Sequence, residues 1–268
     1  MLGSGACWAT WSVDGKKLFY ISYDARHRCS LGIHDLASGR SRLLAAGVRH
    51  MMMLAPSPSG THLAVSTYGE LPEKARIFII DLTNGEARPG PMATGGPQLW
   101  PHWLDDQTLL YVTYDKDDAS LRRWTVSTQH GQTVMALKMP HTVFDAMRLF
   151  ASVSRPLSSD LRHLAYYEME QDRLAIADLA TARIYPMNRG FQAGTWLGAD
   201  KFLATSSQAL ESHSIPPGSG AAGSVKVWPG SCIPLWTDTK DHHIIFVSLA
   251  RNPSVFKLTE MWLAYGKQ

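Results

Sequence analysis

One sentence pattern recurs through this chain every forty-odd residues. From Trp11 it reads WSVDGKKLFYISYD, then a loop, then SLGIHDLASGRSRLL. From Pro56 it reads PSPSGTHLAVSTYGE, a loop, and ARIFIIDLTNGEARP. Each copy has a turn, an alternating apolar run, a second run ending in Asp-Leu, a Gly-containing turn and a short final run. Self-similarity at this period marks a repeat architecture, because one such unit cannot bury its apolar face alone. It constrains the fold far more than the function, since a repeat scaffold hosts many unrelated activities.

Aligning copies on Trp11 gives the column Trp11, Pro56, Trp103, Leu157, Trp196 and Trp236, at intervals of 39 to 54 residues. Asp14-Gly15 and Ser59-Gly60 follow as hairpin signals, because Gly accepts positive φ without a steric penalty. Asp106-Gln107, Asp160-Leu161, Ala199-Asp200 and Thr239-Lys240 hold the same place with weakening turn chemistry. A strand-like run follows each turn: Leu18 to Ser22, Leu63 to Thr67, Leu110 to Thr113, Leu164 to Tyr167, Phe202 to Thr205 and Ile244 to Ser248. Second runs cover Leu31 to Leu36, Arg76 to Leu82, Leu121 to Val126, Arg173 to Leu179, Val225 to Trp228 and Val255 to Leu258. Their shortness and their β-branched and aromatic content favour strands. The turns ASGR, TNGE, QHGQ and ATAR then lead to an outermost strand. About four antiparallel strands per copy and six copies predict an all-β fold, a six-bladed β-propeller. The blades are expected at approximately 6–46, 47–92, 93–138, 147–188, 189–229 and 230–268 within a single domain spanning 1–268. In copy five, either Ala209 to Ser214 is the third strand and Val225 to Trp228 the fourth, or the blade lacks a strand. The chain is expected to begin on an inner strand, Ala6 to Ser12, and to end on an outer one, Met261 to Tyr265. Trp8, Trp11, Trp236 and Trp262 would then form the seam between the first and last blades.

The segments WSVDGKKLFYIS and IHDLASGRSRLL resemble the repeat of the TolB-like propeller family. That pattern is Trp-Ser-Pro-Asp-Gly, a buried strand, then a strand ending in Asp with Gly shortly after. The resemblance covers essentially the whole chain, strongest in copies one and two. It implies the fold and carries almost nothing about a ligand.

A length of 268 residues is consumed by six blades and leaves no room for a second domain. A net charge of +3 with no basic stripe argues against a nucleic-acid partner. No apolar run is long enough for a transmembrane segment. No secretory signal is visible, which suggests a cytoplasmic protein as written, or a periplasmic one if a leader has been removed. Cys7, Cys29 and Cys232 stand at no motif spacing and read as thiols of a reducing compartment.

In a propeller the loops between strands two and three share a face with those entering each blade. Here that set is long and chemically varied, and the opposite set is short and regular; diversity on a rigid scaffold is where function usually sits. Strand two ends in Tyr followed by an acid in several copies: Tyr23-Asp24, Tyr68 with Glu70, Tyr114-Asp115, and Tyr167-Glu168. Such a rim suits a cationic ligand, a peptide or a partner loop. Alternatively, the tyrosines close the strands by packing and the acids are solvated. Arg26, His27, Arg28, Arg49 and His50 stand against the acids, and Trp100 and His102 lie on the inner strand of blade three. The expected binding face therefore carries Tyr23, Asp24, Arg49, His50, Tyr68, Glu70, Trp100, His102, Tyr114, Asp115 and Glu168.

No catalytic signature accompanies these residues. Gly218 to Gly223 matches a dinucleotide fingerprint by letter, but Pro216-Pro217 precede it and a strand follows, so no helix N-terminus awaits a pyrophosphate. No Gly-x-Ser-x-Gly elbow exists, and the acids after Tyr114 lack the calcium-loop Gly and terminal Glu. No metal site and no cofactor are assigned. The reading is a non-catalytic scaffold for a protein or peptide partner, of unknown oligomeric state. The alternatives are a lyase or lactone hydrolase acting at a channel mouth, with His50, His102, Glu70 and Asp115 as candidates, or a sensory or accessory domain of a larger protein.

Overall fold

The alternating runs become strands throughout. In the computed structural model, residues 6–24, 28–49, 51–67, 75–91, 96–115, 118–137, 153, 156–168, 171–188, 190–191, 193–206, 208–215, 225–229, 232–238, 243–249 and 256–262 are described. Among them there is no α-helix, and no helix long and apolar enough to cross a membrane. The chain divides into two compact units, Met1–Met147 and Arg148–Gln268.

The first unit holds three antiparallel meanders. The first sheet is β1 (Ala6–Trp11), β2 (Lys17–Tyr23), β3 (Arg28–Asp35) and β4 (Arg40–Arg49). The second is β5 (Met51–Pro56), β6 (His62–Thr67), β7 (Arg76–Asp81) and β8 (Ala87–Pro89). The third is β9 (Gln98–Trp103), β10 (Thr108–Asp115), β11 (Asp118–Thr125) and β12 (His130–Leu137). Side chains alternate between faces along a strand, so each sheet has two faces to cover. Phe19, Ile21, Cys29, Leu31 and Ile33 of the first sheet pack on Leu54, Leu63, Val65 and Ile80 of the second. The second sheet's other face, Ala55, Ala64, Ile77 and Ile79, receives Trp103, Leu109, Tyr111 and Trp124 of the third. Small residues on one side thus make room for aromatics on the other. The Trp103 indole N–H donates to the Ala55 carbonyl at 2.9 Å. The fully buried Gln98 adds a polar link, accepting from the Ile77 N–H at 3.1 Å and donating to the Pro91 carbonyl at 2.7 Å.

The second unit repeats the device. Its sheets are β13 (His163–Glu168), β14 (Arg173–Asp178) and β15 (Ile184–Pro186); β16 (Ala193–Trp196), β17 (Lys201–Thr205), β18 (Ala209–Ser214) and β19 (Val225–Pro229); and β20 (Cys232–Asp238), β21 (His243–Leu249) and β22 (Phe256–Trp262). Trp196, Phe202, Ala204 and Ile215 pack on Val153, Ala165, Leu174 and Ile176. The Trp196 indole donates to the Pro156 carbonyl at 2.9 Å. The Phe202 ring lies over Gly194, where an added Cβ would come within 2.3 Å of it.

The turns explain the repeat's letters. Ser12 and Ser158 accept the N–H of Lys17 and His163 on their hydroxyls, at 2.9 and 3.0 Å, and donate to Asp14 and Asp160, both at 2.6 Å. The aspartates ending strand three cap the next turn: Asp35 accepts from the Ser38 N–H, Asp81 from Thr83 and Asp178 from Ala180. The following leucine ties the two turns together, with the N–H of Leu36, Leu82 and Leu179 donating to the carbonyls of Lys16, Thr61 and Arg162.

Three expectations change, and one open alternative is resolved. In copy three the left-handed residue is Gln129 (φ 55°), while Gly131 lies inside β12 opposite Trp124. Gln129 fills the place of Gly39, and its side-chain amide donates to the Val126 carbonyl at 2.7 Å, offsetting the strain. The fourth sheet has three described strands; the isolated bridge Leu157↔Leu164 stands where an inner strand was expected. At the chain's end β22 is one continuous strand paired with β21 from Phe256 to Trp262, so Met261 does not open a separate outer strand. In copy five the first alternative holds, with β18 third and β19 fourth.

The Trp column also divides. Trp196 is fully buried and Trp103 is 5% exposed, but Trp11 is 41% exposed. In the second and third sheets this face covers the preceding sheet; the first sheet has no predecessor within its unit. The side chains of Trp8, Trp236 and Trp262 lie outside the description, so the seam is represented by Trp11 alone. Burying a large aromatic removes roughly 150–250 Å² from water, an upper-bound gain of about 4–6 kcal/mol at ~25 cal/mol per Å². Trp103→Ala and Trp196→Ala are each expected to lower unfolding free energy by roughly 3–5 kcal/mol, and Trp11→Ala by about 1 kcal/mol or less. Urea denaturation of the three variants checks this; equal losses would place Trp11 in a core.

Candidate functional site

At the long-loop end of the first sheet, the register sets Tyr23 opposite Cys29 and Arg28 opposite Arg49. Tyr23, Asp24, Arg28 and Arg49 therefore meet at one sheet corner. Tyr23 is half-buried and packs against the core between the first two sheets. Asp24 is exposed and takes Arg28 in three ways: from its backbone N–H at 2.9 Å, from Nε at 2.8 Å and from Nη2 at 2.8 Å. The fourth sheet carries the same arrangement in other letters. Glu168 accepts from Arg173 Nε at 2.7 Å across the β13–β14 mouth, and the Tyr167 hydroxyl donates to Asp172. The acids at these two mouths are thus neither free charges nor merely solvated; each is clamped by an arginine at the start of the next strand. An exposed pair of this kind adds about 0–1 kcal/mol to stability, so its main effect is to fix the mouth of the hairpin. The sequence reading placed Arg28 against the acids but passed over Arg173; an arginine four or five residues after the acid is the common signal.

The third sheet distributes its candidates differently. Tyr114 and Asp115 end β10, with Asp115 opposite Asp118 across the tight β10–β11 connection. Trp100 and His102 lie within β9, the inner strand on which the sequence places them. Trp100 has φ 54° where the β9–β10 register shifts, and its N–H donates to Met53 Sδ at 3.2 Å. His102 pairs with Leu110 and is half-buried. Glu168 belongs to the second unit. His50, Tyr68 and Glu70 lie outside the described residues, as do Arg26, His27 and residues 218–223.

Elsewhere the titratable groups serve structure. The Ser12 hydroxyl and Lys16 N–H hold Asp14 below the usual carboxylate range, and the Ser38 N–H and hydroxyl do the same for Asp35. Burial pushes Asp178 up, but the Ala180 amide, the Arg162 guanidinium and the Thr181 amide outweigh it and leave it depressed. Burial pushes the Tyr166 phenol up to about 12, so it stays neutral. Two histidines that the sequence reading did not single out, His62 and His163, stand against the inter-sheet indoles of Trp103 and Trp196, at centroid distances of 6.1 and 5.7 Å. Among the described residues no group of three His, Cys, Asp or Glu side chains is arranged to hold a metal ion.

No protein-family model matches the chain, and no curated protein matches it. Solved structures do. TolB from Acinetobacter baumannii is 13% identical with a TM-score of 0.60, over 84% of this chain and 55% of that one. An oligogalacturonate lyase in complex with manganese is 15% identical with a TM-score of 0.65, over 93% and 75% of the two chains. A puromycin-hydrolyzing peptidase of Mycobacterium tuberculosis is 15% identical with a TM-score of 0.61, over 91% and 43%. The chain spans about half the length of TolB and less of the peptidase. At this identity the likeness carries the fold alone, a β-propeller scaffold common to binding proteins and enzymes.

One buried base gives the second unit a pH dependence. His213, 9% exposed, sits edge-on to Phe191 with ring centroids 5.0 Å apart and has Glu211 Oε2 3.7 Å from Nε2. Burial lowers its pKa below 6.5, and Glu211 only partly opposes this. The unfolded chain therefore binds the proton more readily. The resulting stabilisation is complete above pH 6.5 and is lost as pH falls below it. His213→Phe is expected to flatten the loss of stability between about pH 7.5 and pH 5, read as the urea midpoint at each pH. An unchanged slope would show that His213 is not the group that titrates.

Proposed function

We propose that the six sheets are the blades of one β-propeller spanning residues 1–268, and that it acts as a non-catalytic scaffold binding a protein or peptide through its long-loop edge. The observation that supports this most is the recurrent Tyr–acid–Arg corner at the β2–β3 and β13–β14 mouths. In both, an aromatic ring is anchored in or against a sheet while a carboxylate is held by an arginine of the same hairpin. Such corners are rigid and amphipathic, and they present aromatic area at low entropic cost, which suits recognition of a macromolecular surface. Within this reading the binding set is Tyr23, Asp24, Arg49, His50, Tyr68, Glu70, Trp100, His102, Tyr114, Asp115 and Glu168, with no nucleic-acid partner.

The enzyme reading keeps one support, the likeness to a manganese-bound lyase over most of both chains. The two readings part in a single experiment on the purified protein and a partner captured from its native extract. The scaffold predicts that Glu70→Lys and Asp115→Lys each weaken partner binding by roughly tenfold at low salt and much less at high salt, because rim charges act mainly on encounter. Retained stoichiometric manganese, lost in His50→Ala or His102→Ala together with turnover, would overturn it in favour of the enzyme.

A further inference from the structure

The short-turn end of the first sheet carries a positive excess, three cations to the one acid in their row. Lys17, Asp35 and Arg40 stand opposite one another on β2, β3 and β4, and Arg42 stands opposite Ile33 two residues further along the same face. These side chains and Ser41 line a shallow groove. Cross-strand neighbours are about 5 Å apart and same-face residues about 7 Å apart along a strand, so the three cationic heads reach a common point above the row. All three are exposed. Among the described residues no salt bridge or hydrogen bond engages either guanidinium. Asp35, the one acid in the row, is oriented by the turn, its Oδ1 accepting from the Ser38 N–H at 2.8 Å and from the Ser38 hydroxyl at 2.9 Å, and its single charge offsets only one of the three cations.

The second sheet supplies an internal comparison. By register, His62, Asp81, Glu86 and Arg88 occupy the places of Lys17, Asp35, Arg40 and Arg42, and they line an equivalent groove. There a glutamate replaces one arginine and a histidine replaces the lysine, so the positive excess is gone. The cover differs as well. His62 and His163 stand against the indoles of Trp103 and Trp196, the column residues of the copies that follow them, whereas the copy following Lys17 has Pro56 in that column. A pyrrolidine is shorter than an indole, and Lys17 stays exposed where His62 is half-buried and His163 buried.

We propose that the groove of Lys17, Arg40 and Arg42 is an oxyanion site taking a phosphoryl group. Two guanidinium forks offer paired N–H donors to a tetrahedral dianion, and the ammonium adds a point charge on the remaining side. The site lies at the sheet end opposite the Tyr–acid–Arg corners, so it does not depend on the proposed partner face. Calorimetric titration with inorganic phosphate at constant ionic strength tests it on the full chain. Saturable binding is expected, weakened at least tenfold in the Arg40→Gln/Arg42→Gln double variant and unchanged in Arg88→Gln. A phosphoserine peptide run in parallel distinguishes the source. Binding tighter than inorganic phosphate assigns the group to a phosphorylated chain; equal binding assigns it to the free anion or a small phosphate ester. Absence of saturation, or an equal loss in Arg88→Gln, overturns the proposal.

Discussion

Everything described in this protein rests on one sheet covering the next. A four-stranded antiparallel meander has two faces, and either face left in water costs more than its hydrogen-bonded ladder returns. The chain meets this with an asymmetric pair of faces. One is built of small or β-branched residues, such as Ala55, Ala64, Ile77 and Ile79; the other carries aromatics, such as Trp103, Tyr111 and Trp124. Size asymmetry lets the rings lie on the neighbouring sheet without overpacking. The directional indole hydrogen bonds to the Ala55 and Pro156 carbonyls then favour one register of the packing. Apolar burial supplies the energy and these bonds supply the uniqueness.

That division explains what the sequence made legible. Period, strand order and Trp column follow from burial and turn chemistry, both written locally in the letters. Ser12, Asp14 and Gly15 form one hydrogen-bonded turn, so the motif is visible wherever its three letters survive. It becomes hard to see where another residue fills the same conformation. Leu161 takes the left-handed place of Gly15, and Gln129 that of Gly39; a count from the turn serine finds the first and a count from the end of strand three the second, and a search for glycine finds neither. Gln98 was invisible for a different reason. Its value lies in the Ile77 N–H and the Pro91 carbonyl, both presented by another sheet. Exposure of Trp11 was equally illegible, since a column letter records the residue and not what covers it.

The candidate site was legible as composition and not as electrostatics. The recurrence of Tyr followed by acid located the hairpin mouths correctly at Tyr23 and Tyr167. The expectation of free negative charge did not allow for antiparallel pairing, which brings the residue after the loop beside the one before it. An arginine at the start of strand three therefore lands on the acid at the end of strand two, as Arg28 does on Asp24 and Arg173 on Glu168. Trp100 and His102 stand on β9, the inner strand their spacing predicts; the left-handed backbone at Trp100 was not legible, because it depends on the irregularity with which β9 pairs with β10.

Charge in this chain is thus sorted by sheet end. At the long-loop end acid and base are paired within the β2–β3 and β13–β14 hairpins, whereas the β10–β11 mouth sets Asp115 opposite Asp118. At the short-turn end the aspartates accept from backbone amides; Asp178 also pairs with Arg162 at 3.1 Å, whereas no ion pair reaches Arg40 or Arg42 among the described residues. Opposing residues on β2, β3 and β4 stand in one row, so a turn aspartate shares that row with the first residue of each flanking strand. In the second sheet Glu86 and His62 leave that row without an excess. In the first, Lys17 and Arg40 do not. The net positive charge that looked unpatterned along the sequence is therefore locally patterned in space, by the same register that makes the turns.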